Sequence, residues 1–250
     1  MPQTKKQKQT VYLSVILPAY NESGRIGGTL IDISDFLSRQ PYKSEIIVVD
    51  DGSTDGLAKF VESYIETIPS LKLIQYTKNR GKGYAVKIGM INAIGKYRLF
   101  MDADNSVTID HVAKFLEQAH RGYDVVVGSI LLPHIRDAVE MNGRHRIFLR
   151  KVTKFIRSLV VNIDVYDTQR GFKLFSEKAA KKLFTLQRVE RFGFDIELLA
   201  LAKGAQYKIK EISVKWINPT GSKVTPLSYI QSFIELLSIR MNMLLGRYDF

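Results

Sequence analysis

The sequence predicts a single α/β domain on a mainly parallel central sheet, with helices packed on both faces. Three observations carry that expectation. Short apolar, β-branched runs alternate along the first half with stretches whose apolar residues recur at helical spacing. Those runs are nearly continuous in their apolar character, as in strands buried on both faces. Polar punctuation follows each of the first four runs, and in such sheets ligands bind beyond the carboxyl ends of the strands.

Taken in order, Val11 to Leu17 is the first strand, ending at Pro18. Arg25 to Arg39 reads as a helix, with Ile26, Leu30, Ile33 and Leu37 on one face. Glu45 to Val49 is the second strand. Asp55 to Ile68 is the second helix, with Thr54 or Asp55 as its cap. Leu71 to Tyr76 is a strand, Gly83 to Ile94 a helix, Lys96 to Met101 a strand, Ile109 to Arg121 a helix and Tyr123 to Gly128 the fifth strand. Right-handed crossovers then place the loops PAYNES (18–23), DDGSTD (50–55), KNRGKG (78–83) and DADNS (102–106) along one edge.

The second half is less regular. Arg144 to Val161 reads as a basic amphipathic helix with Phe148, Val152, Phe155 and Leu159 as its apolar stripe. Phe192 to Lys203 reads as a helix and Tyr207 to Trp216 as a strand. Leu227 to Leu245 is a last helix, apolar at Ile230, Phe233, Ile234, Leu237, Met241, Leu244 and Leu245. Glu235 and Arg240 argue for an interfacial or core helix rather than a span. The expected organisation is a basic tail (1–10), one domain (11–226) and a C-terminal amphipathic helix (227–250).

Composition narrows the function. The chain has no cysteine, which excludes a disulfide framework, thiolate zinc and a Cys nucleophile. Its net charge of +12 points to an anionic partner: nucleic acid, anionic lipid or a phosphorylated substrate. The tail with Lys5, Lys6 and Lys8 reads as neither signal peptide nor membrane span, so a protein that is soluble or lies on a membrane surface is expected. His111, His120, His134 and His145 lack metal-ligand spacing, and neither G-x-G-x-x-G nor a P-loop motif occurs.

Asp102-Ala103-Asp104 is the sharpest chemical signal. In an extended strand, residues two apart face the same way, so both carboxylates would meet one spot. Mg²⁺ or Mn²⁺ commonly bridges a few carboxylates to substrate phosphates. A lone D-x-D is also a common acidic turn.

The combination is more specific. LPAYNE (17–22), VVDDGSTDG (48–56), NRGKG (79–83) and MDAD (101–104) resemble glycosyltransferase family 2, whose fold is GT-A (Rossmann-like) and whose donors are nucleotide sugars. DTQRGFKLF (167–175), VERFGFDIELL (189–199) and GSK (221–223) narrow the resemblance to the members that act on dolichyl or other polyprenyl phosphates. It covers about Leu13 to Pro226, with the motifs in family order.

The resemblance implies that Pro18, Tyr20 and Glu22 hold the nucleoside end, that Val49 and Asp51 contact base and ribose, and that Asp102 and Ala103 adjoin the donor. Asp102 and Asp104 would hold Mg²⁺ or Mn²⁺ at the diphosphate, with Lys82 and Lys223 beside the leaving phosphate. Arg144, Arg146, Arg150 and Gln169 would receive the acceptor phosphate. Asp195 stands where relatives with hydroxyl acceptors have a catalytic base; here the resemblance implies that it orients the acceptor instead. Singly, each has a plainer reading: Tyr20 as core, Glu22 or Asp195 as a helix cap, Lys82 as a solvated charge, the arginines as a lipid-facing stripe.

The implied reaction is an inverting, metal-dependent hexose transfer. Departures steer the details. Ile130 replaces an Arg that contacts phosphate in relatives. Ser106 and the stretch Ile217-Asn218-Pro219-Thr220 depart from the mannosyl type, which favours glucose from UDP-glucose. Eukaryotic relatives have an amino-terminal membrane helix where this chain has the basic tail. A peripheral enzyme on the cytoplasmic membrane face, without a nucleic-acid partner, is therefore expected. A hydroxyl acceptor, a basic nucleic-acid-binding module and an inactive sugar-nucleotide sensor are the rival readings.

Overall fold

A computed structural model describes residues 10–132, 165–217 and 226–249. The predicted helix at 144–161 lies outside them. The elements run β1 (Leu13–Ala19), α1 (Ile26–Ser38), β2 (Ser44–Asp51), α2 (Leu57–Glu62), β3 (Leu71–Tyr76), α3 (Lys82–Asn92), β4 (Tyr97–Met101) and a 3-10 turn (Ile109–His111) leading into α4 (Val112–His120). There follow β5 (Val125–Ser129), β6 (Phe172–Ser176), α5 (Glu177–Leu186), α6 (Phe194–Gly204), β7 (Ile209–Ser213) and α7 (Pro226–Leu244).

The strands form one seven-stranded sheet in the order β3-β2-β1-β4-β6-β5-β7. Every pairing is parallel except those of β6, which runs antiparallel to both β4 and β5. Alternation along β1 shows how the two layers arise. Leu13, Val15 and Leu17 enter one core with Ile26, Leu30 and Ile33 of α1 and Phe115 of α4. Ile16 enters the other, with Val86 and Met90 of α3, Leu183 of α5 and Leu199 of α6. Helix α6 is apolar nearly all round and buried from Phe194 to Ala202, as a central helix must be.

Three local outcomes differ from the sequence expectation. Helix α2 stops at Glu62 rather than Ile68, because Tyr64, Ile65 and Thr67 bond to carbonyls three residues back. The hydroxyls of Ser63 and Thr67 also occupy the carbonyls of Phe60 and Tyr64. Strand β6 and helix α5 were not anticipated: Phe172 to Ser176 is too short a run to declare its direction. The segment 207–216 contributes only Ile209–Ser213 to the sheet.

The chain steps outward from β1 through β2 to β3, then returns to lay β4 on the other flank of β1. The topological switch therefore falls between β1 and β4, where an open parallel sheet offers its crevice.

Candidate active site

A cleft of about 560 Å³ opens at that switch point. Pro18, Tyr20, Glu22, Asp51, Lys82, Asp102, Ala103, Asp104 and Gln169 all line it. So do Arg25, Asn79, Arg170, Arg191 and Trp216, which sequence reasoning did not single out.

The loops are tied to one another before any ligand is considered. Asn21 adopts a left-handed φ of 51°. Its backbone N–H donates to Ser53 Oγ at 2.9 Å, and its Oδ1 accepts from the Thr54 amide at 2.8 Å. The N-cap of α2 is Gly56 rather than Thr54 or Asp55; Asp55, just before it, accepts from Leu57 N at 3.1 Å and from Ser23 N at 2.9 Å.

Asp51 organises the third loop. Its carboxylate accepts from the Arg80 and Gly81 amides, both at 2.8 Å, and from the Asn79 side chain at 2.9 Å. Three of its roughly four lone-pair sites are thus committed to the loop that carries Lys82. Gly81 and Gly83 let that loop press on the segment before α6. A Cβ on Gly81 would lie 2.8 Å from the Glu190 carbonyl, and one on Gly83 would lie 2.7 Å from Phe194 Cβ.

The acidic pair sits on a turn, not on an extended strand. β4 ends at Met101, and the Asn105 amide reaches back to the Asp102 carbonyl at 3.4 Å. Both carboxylates still line the cleft, because the turn is pinned from outside. Thr29 donates to the Ala103 carbonyl at 2.8 Å, and Asn105 donates to Asp32 at 2.7 Å. Asp104 accepts from the Ser106 amide at 3.0 Å. Asp102 needs Gly171 beneath it: a Cβ there would lie 2.1 Å from Oδ2.

Charges alternate across the cleft floor. Asp102 pairs with Lys82, and Lys82 also feels Asp195 and Asp104. Burial alone would depress the Lys82 ammonium, but these carboxylates outweigh it and hold its pKa above the usual lysine value. Its side chain keeps 23% exposure, toward the cleft. Asp195 makes no cap bond to α6. Instead its Oδ1 receives Lys173 at 2.5 Å, in a fully buried pair. Burial pushes the Asp195 carboxyl up, against the pull of Lys173 and Lys82, and pushes the Lys173 ammonium down. Lys173 was not foreseen, although one lysine inside the apolar run Phe172 to Phe175 was a signal of a buried ion pair.

The remaining candidates fall in different places. Val49 is fully buried in the core and does not line the cleft. Tyr20 is exposed at the cleft, not core. Glu22 grips Arg25 through two bonds of 2.5 and 2.7 Å, a side-chain pair, while its backbone carbonyl starts α1. Lys223, Arg144, Arg146 and Arg150 lie outside the described residues. Ile130, at the end of β5, is buried.

Among the described residues no three His, Cys, Asp or Glu converge as metal ligands. Two hard carboxylates lining one cleft nonetheless suit a divalent ion that draws its other ligands from substrate phosphates and water. The glycine-made space around Asp102 and the partner-poor Asp104 fit that use.

The architecture is shared with solved glycosyltransferases. Glucosyl-3-phosphoglycerate synthase from Mycobacterium tuberculosis, solved with Mn²⁺, UDP and glucosyl-3-phosphoglycerate, superposes with a TM-score of 0.61 at 18% identity, over 92% of this chain and 80% of that one. The fold is GT-A. The family profile of glycosyl transferase family 2 matches residues 14–184. Dolichyl-phosphate β-glucosyltransferase of Dictyostelium discoideum is 38% identical, covering 98% of this chain and 78% of the relative. The Saccharomyces cerevisiae protein of the same name is 34% identical, over 96% and 77%. The chain belongs to glycosyl transferase family 2 and is a glycosyltransferase.

Proposed function

We propose that the protein transfers glucose, with inversion, from UDP-glucose to dolichyl phosphate or a related polyprenyl phosphate at a membrane surface. The observation that carries the reading is the meeting of Asp102, Asp104 and Lys82 with Tyr20, Glu22 and Asp51 in one cleft at the switch point. The names of the relatives support both the sugar and the acceptor.

In this reading Tyr20 and Glu22 border the nucleoside, and Asp51 acts through the loop it folds. When bound, Mg²⁺ or Mn²⁺ neutralises charge on the donor diphosphate; Asp102 and Asp104 would hold it. Lys82, kept cationic by its carboxylate neighbours, then turns to the leaving phosphate and stabilises the charge that develops there. The acceptor phosphate oxygen is already anionic, so it needs positioning more than deprotonation. Gln169 and the cations Arg170 and Arg191 border its approach, and a guanidinium fork suits phosphate. Arg144, Arg146, Arg150 and Lys223 are assigned to phosphate by family resemblance. Asp195, already bound to Lys173, positions Lys82 rather than taking a proton.

A donor screen tests the reading. Purified protein with Mn²⁺ and a polyprenyl phosphate is offered UDP-glucose, UDP-galactose, UDP-N-acetylglucosamine and GDP-mannose. UDP-glucose is expected to be preferred, and EDTA to abolish transfer until Mn²⁺ or Mg²⁺ is restored. Preference for GDP-mannose would refute the sugar assignment; full activity in EDTA would refute the metal.

A further inference from the structure

Four cations among the described residues line the cleft, and three are already answered by an acid. Glu22 holds Arg25, Asp102 holds Lys82, and Glu235 opposes Arg191. Arg170 spends only one edge. Its Nε donates to Asp167 Oδ2 at 3.2 Å, and its terminal nitrogens donate to nothing among the described residues. Most of its donors are therefore left over.

The residue is fixed from several directions. Its carbonyl accepts from the Phe172 amide at 2.9 Å and from the buried Lys173 ammonium at 2.6 Å. Asp167, only 6% exposed, is itself pinned: the same Oδ2 accepts from the Ile130 amide at 3.3 Å, and its own amide donates to Glu211 at 2.8 Å. The guanidinium lies over Trp216, 5.1 Å from the ring centroid. Trp216 is held by the amides on either side of the ring-bearing residue's peptide: Lys215 donates to His111 Nε2 and Ile217 to the Ser106 carbonyl, each at 2.9 Å. A planar cation braced at one edge and one face keeps its other edge ready for a forked anion. The side chain retains 22% exposure, and the residue lines the cleft.

Topology says which anion. Tyr20 and Glu22 follow β1, Asp51 ends β2, Asp102 and Asp104 follow β4, and β6 is the next strand over. Because β6 runs antiparallel to β4, the residues that lead into it lie at the same edge as these loops. The Asp102 amide donates to the Gly171 carbonyl at 3.0 Å, which sets Arg170 beside the acidic turn, on the flank away from Tyr20 and Asp51. Ile130, at the end of β5 beyond, is apolar and buried and brings no charge to that flank.

We propose that Arg170, braced by Asp167 and Trp216, grips the phosphate of the acceptor and so sets its attacking oxygen toward the donor sugar. The inference rests on the proposed function and names the residue that recognises the charged end of the acceptor.

Trp216 is the one tryptophan of the chain, so its emission reads this site directly. Protein holding UDP and Mn²⁺ is titrated with a water-soluble short-chain prenyl phosphate and with the matching prenyl alcohol. The phosphate is expected to give a saturable change in emission and the alcohol none. Arg170→Ala should raise Kd and KM for the prenyl phosphate at least about tenfold, with the KM for UDP-glucose unchanged. Arg170→Lys keeps a charge opposite Asp167 but loses the planar fork. It should unfold at the wild-type temperature and still raise the acceptor KM several-fold, which separates recognition from a folding defect. Wild-type acceptor KM in both variants overturns the inference and leaves the proposed function standing. A rise confined to the KM for UDP-glucose also overturns it, by placing Arg170 on the donor. Equal titration by the alcohol shows that the phosphate is not what is recognised and overturns it as well. A wild-type protein that neither binds nor uses prenyl phosphate, yet glucosylates a hydroxyl acceptor, overturns the acceptor assignment and the inference together.

Discussion

The two ends of the sheet treat carboxylates in opposite ways. At the amino-terminal end, Glu45 is only 3% exposed and fully engaged: Ser14 donates at 2.5 Å, the Ile94 amide at 2.8 Å and Lys72 at 2.7 Å. These bonds hold its pKa below the usual glutamate value, overcoming the burial that would raise it. At the carboxyl end, Asp102 and Asp104 face a cleft, where one has Lys82 and the other a single amide. Both ends place an acid beside a lysine. What separates them is how much acceptor capacity is left over. Glu45 spends its capacity on the fold, whereas Asp102 and Asp104 retain acceptor capacity at the cleft, which the proposed function assigns to a metal-bound donor. Asp51 stands between these extremes, at the functional end but committed to its loop.

That contrast can be broken by substitution. The largest effect is expected for Asp104→Ala, which should lower turnover about 10³-fold or more while thermal unfolding stays near wild type; a near-normal rate would remove Asp104 from the chemistry. Gly171→Ala comes next. Its new Cβ would displace the Asp102 carboxylate, and a misplacement of this kind costs about 10²-fold. Activity should fall without loss of folded protein, as read by steady-state kinetics beside circular dichroism.

At the other end the signature should be stability. Glu45→Gln is expected to cost about 1–3 kcal/mol at neutral pH, through weakened and unmatched buried hydrogen bonds, with kcat unchanged. The sign of the pH dependence follows from a depressed folded-state pKa. Stabilisation by Glu45 is fully present above its unfolded value near ~4.3 and is lost as pH falls through the folded value. The gap between wild type and variant in denaturant titrations should therefore close in acid; a gap independent of pH would contradict the ionised role.

A mild effect on turnover is expected for Asp195→Asn, less than about tenfold in kcat with unchanged donor affinity, because Asp195 already accepts from Lys173, while loss of the charge opposite that buried lysine should lower stability. A severe loss would instead favour a general base and a hydroxyl acceptor.

Much of this was legible in the chain. The alternation of strands and helices through β5 follows from local periodicity, and so does the alignment of four loops at one edge. The loop residues of 18–22, 79–83 and 102–104 carried the family resemblance because each motif is contiguous. Other parts were not legible. Asp51 lines the cleft as expected of a donor contact, but its bonds to Asn79, Arg80 and Gly81 were not visible in the sequence. Asp195 read as a base, an acceptor-orienting group or a cap; it makes no cap bond, and its buried pairing with Lys173 from β6 was not visible in the sequence. The carboxylates of 102–104 share the cleft through a turn pinned by Thr29 and Asp32, not through strand alternation.

The sequence by itself determined the layers, the edge at which chemistry gathers and the residue types available there. Each of these depends on spacing within a short stretch, and backbone geometry converts spacing directly into a face or an end. Only the tertiary structure decided which acids are spent and which remain free, the antiparallel insertion of β6, and the outward apolar face of α7. Those depend on which distant segments meet. A side chain's remaining hydrogen-bonding capacity and exposure are properties of its neighbours in space.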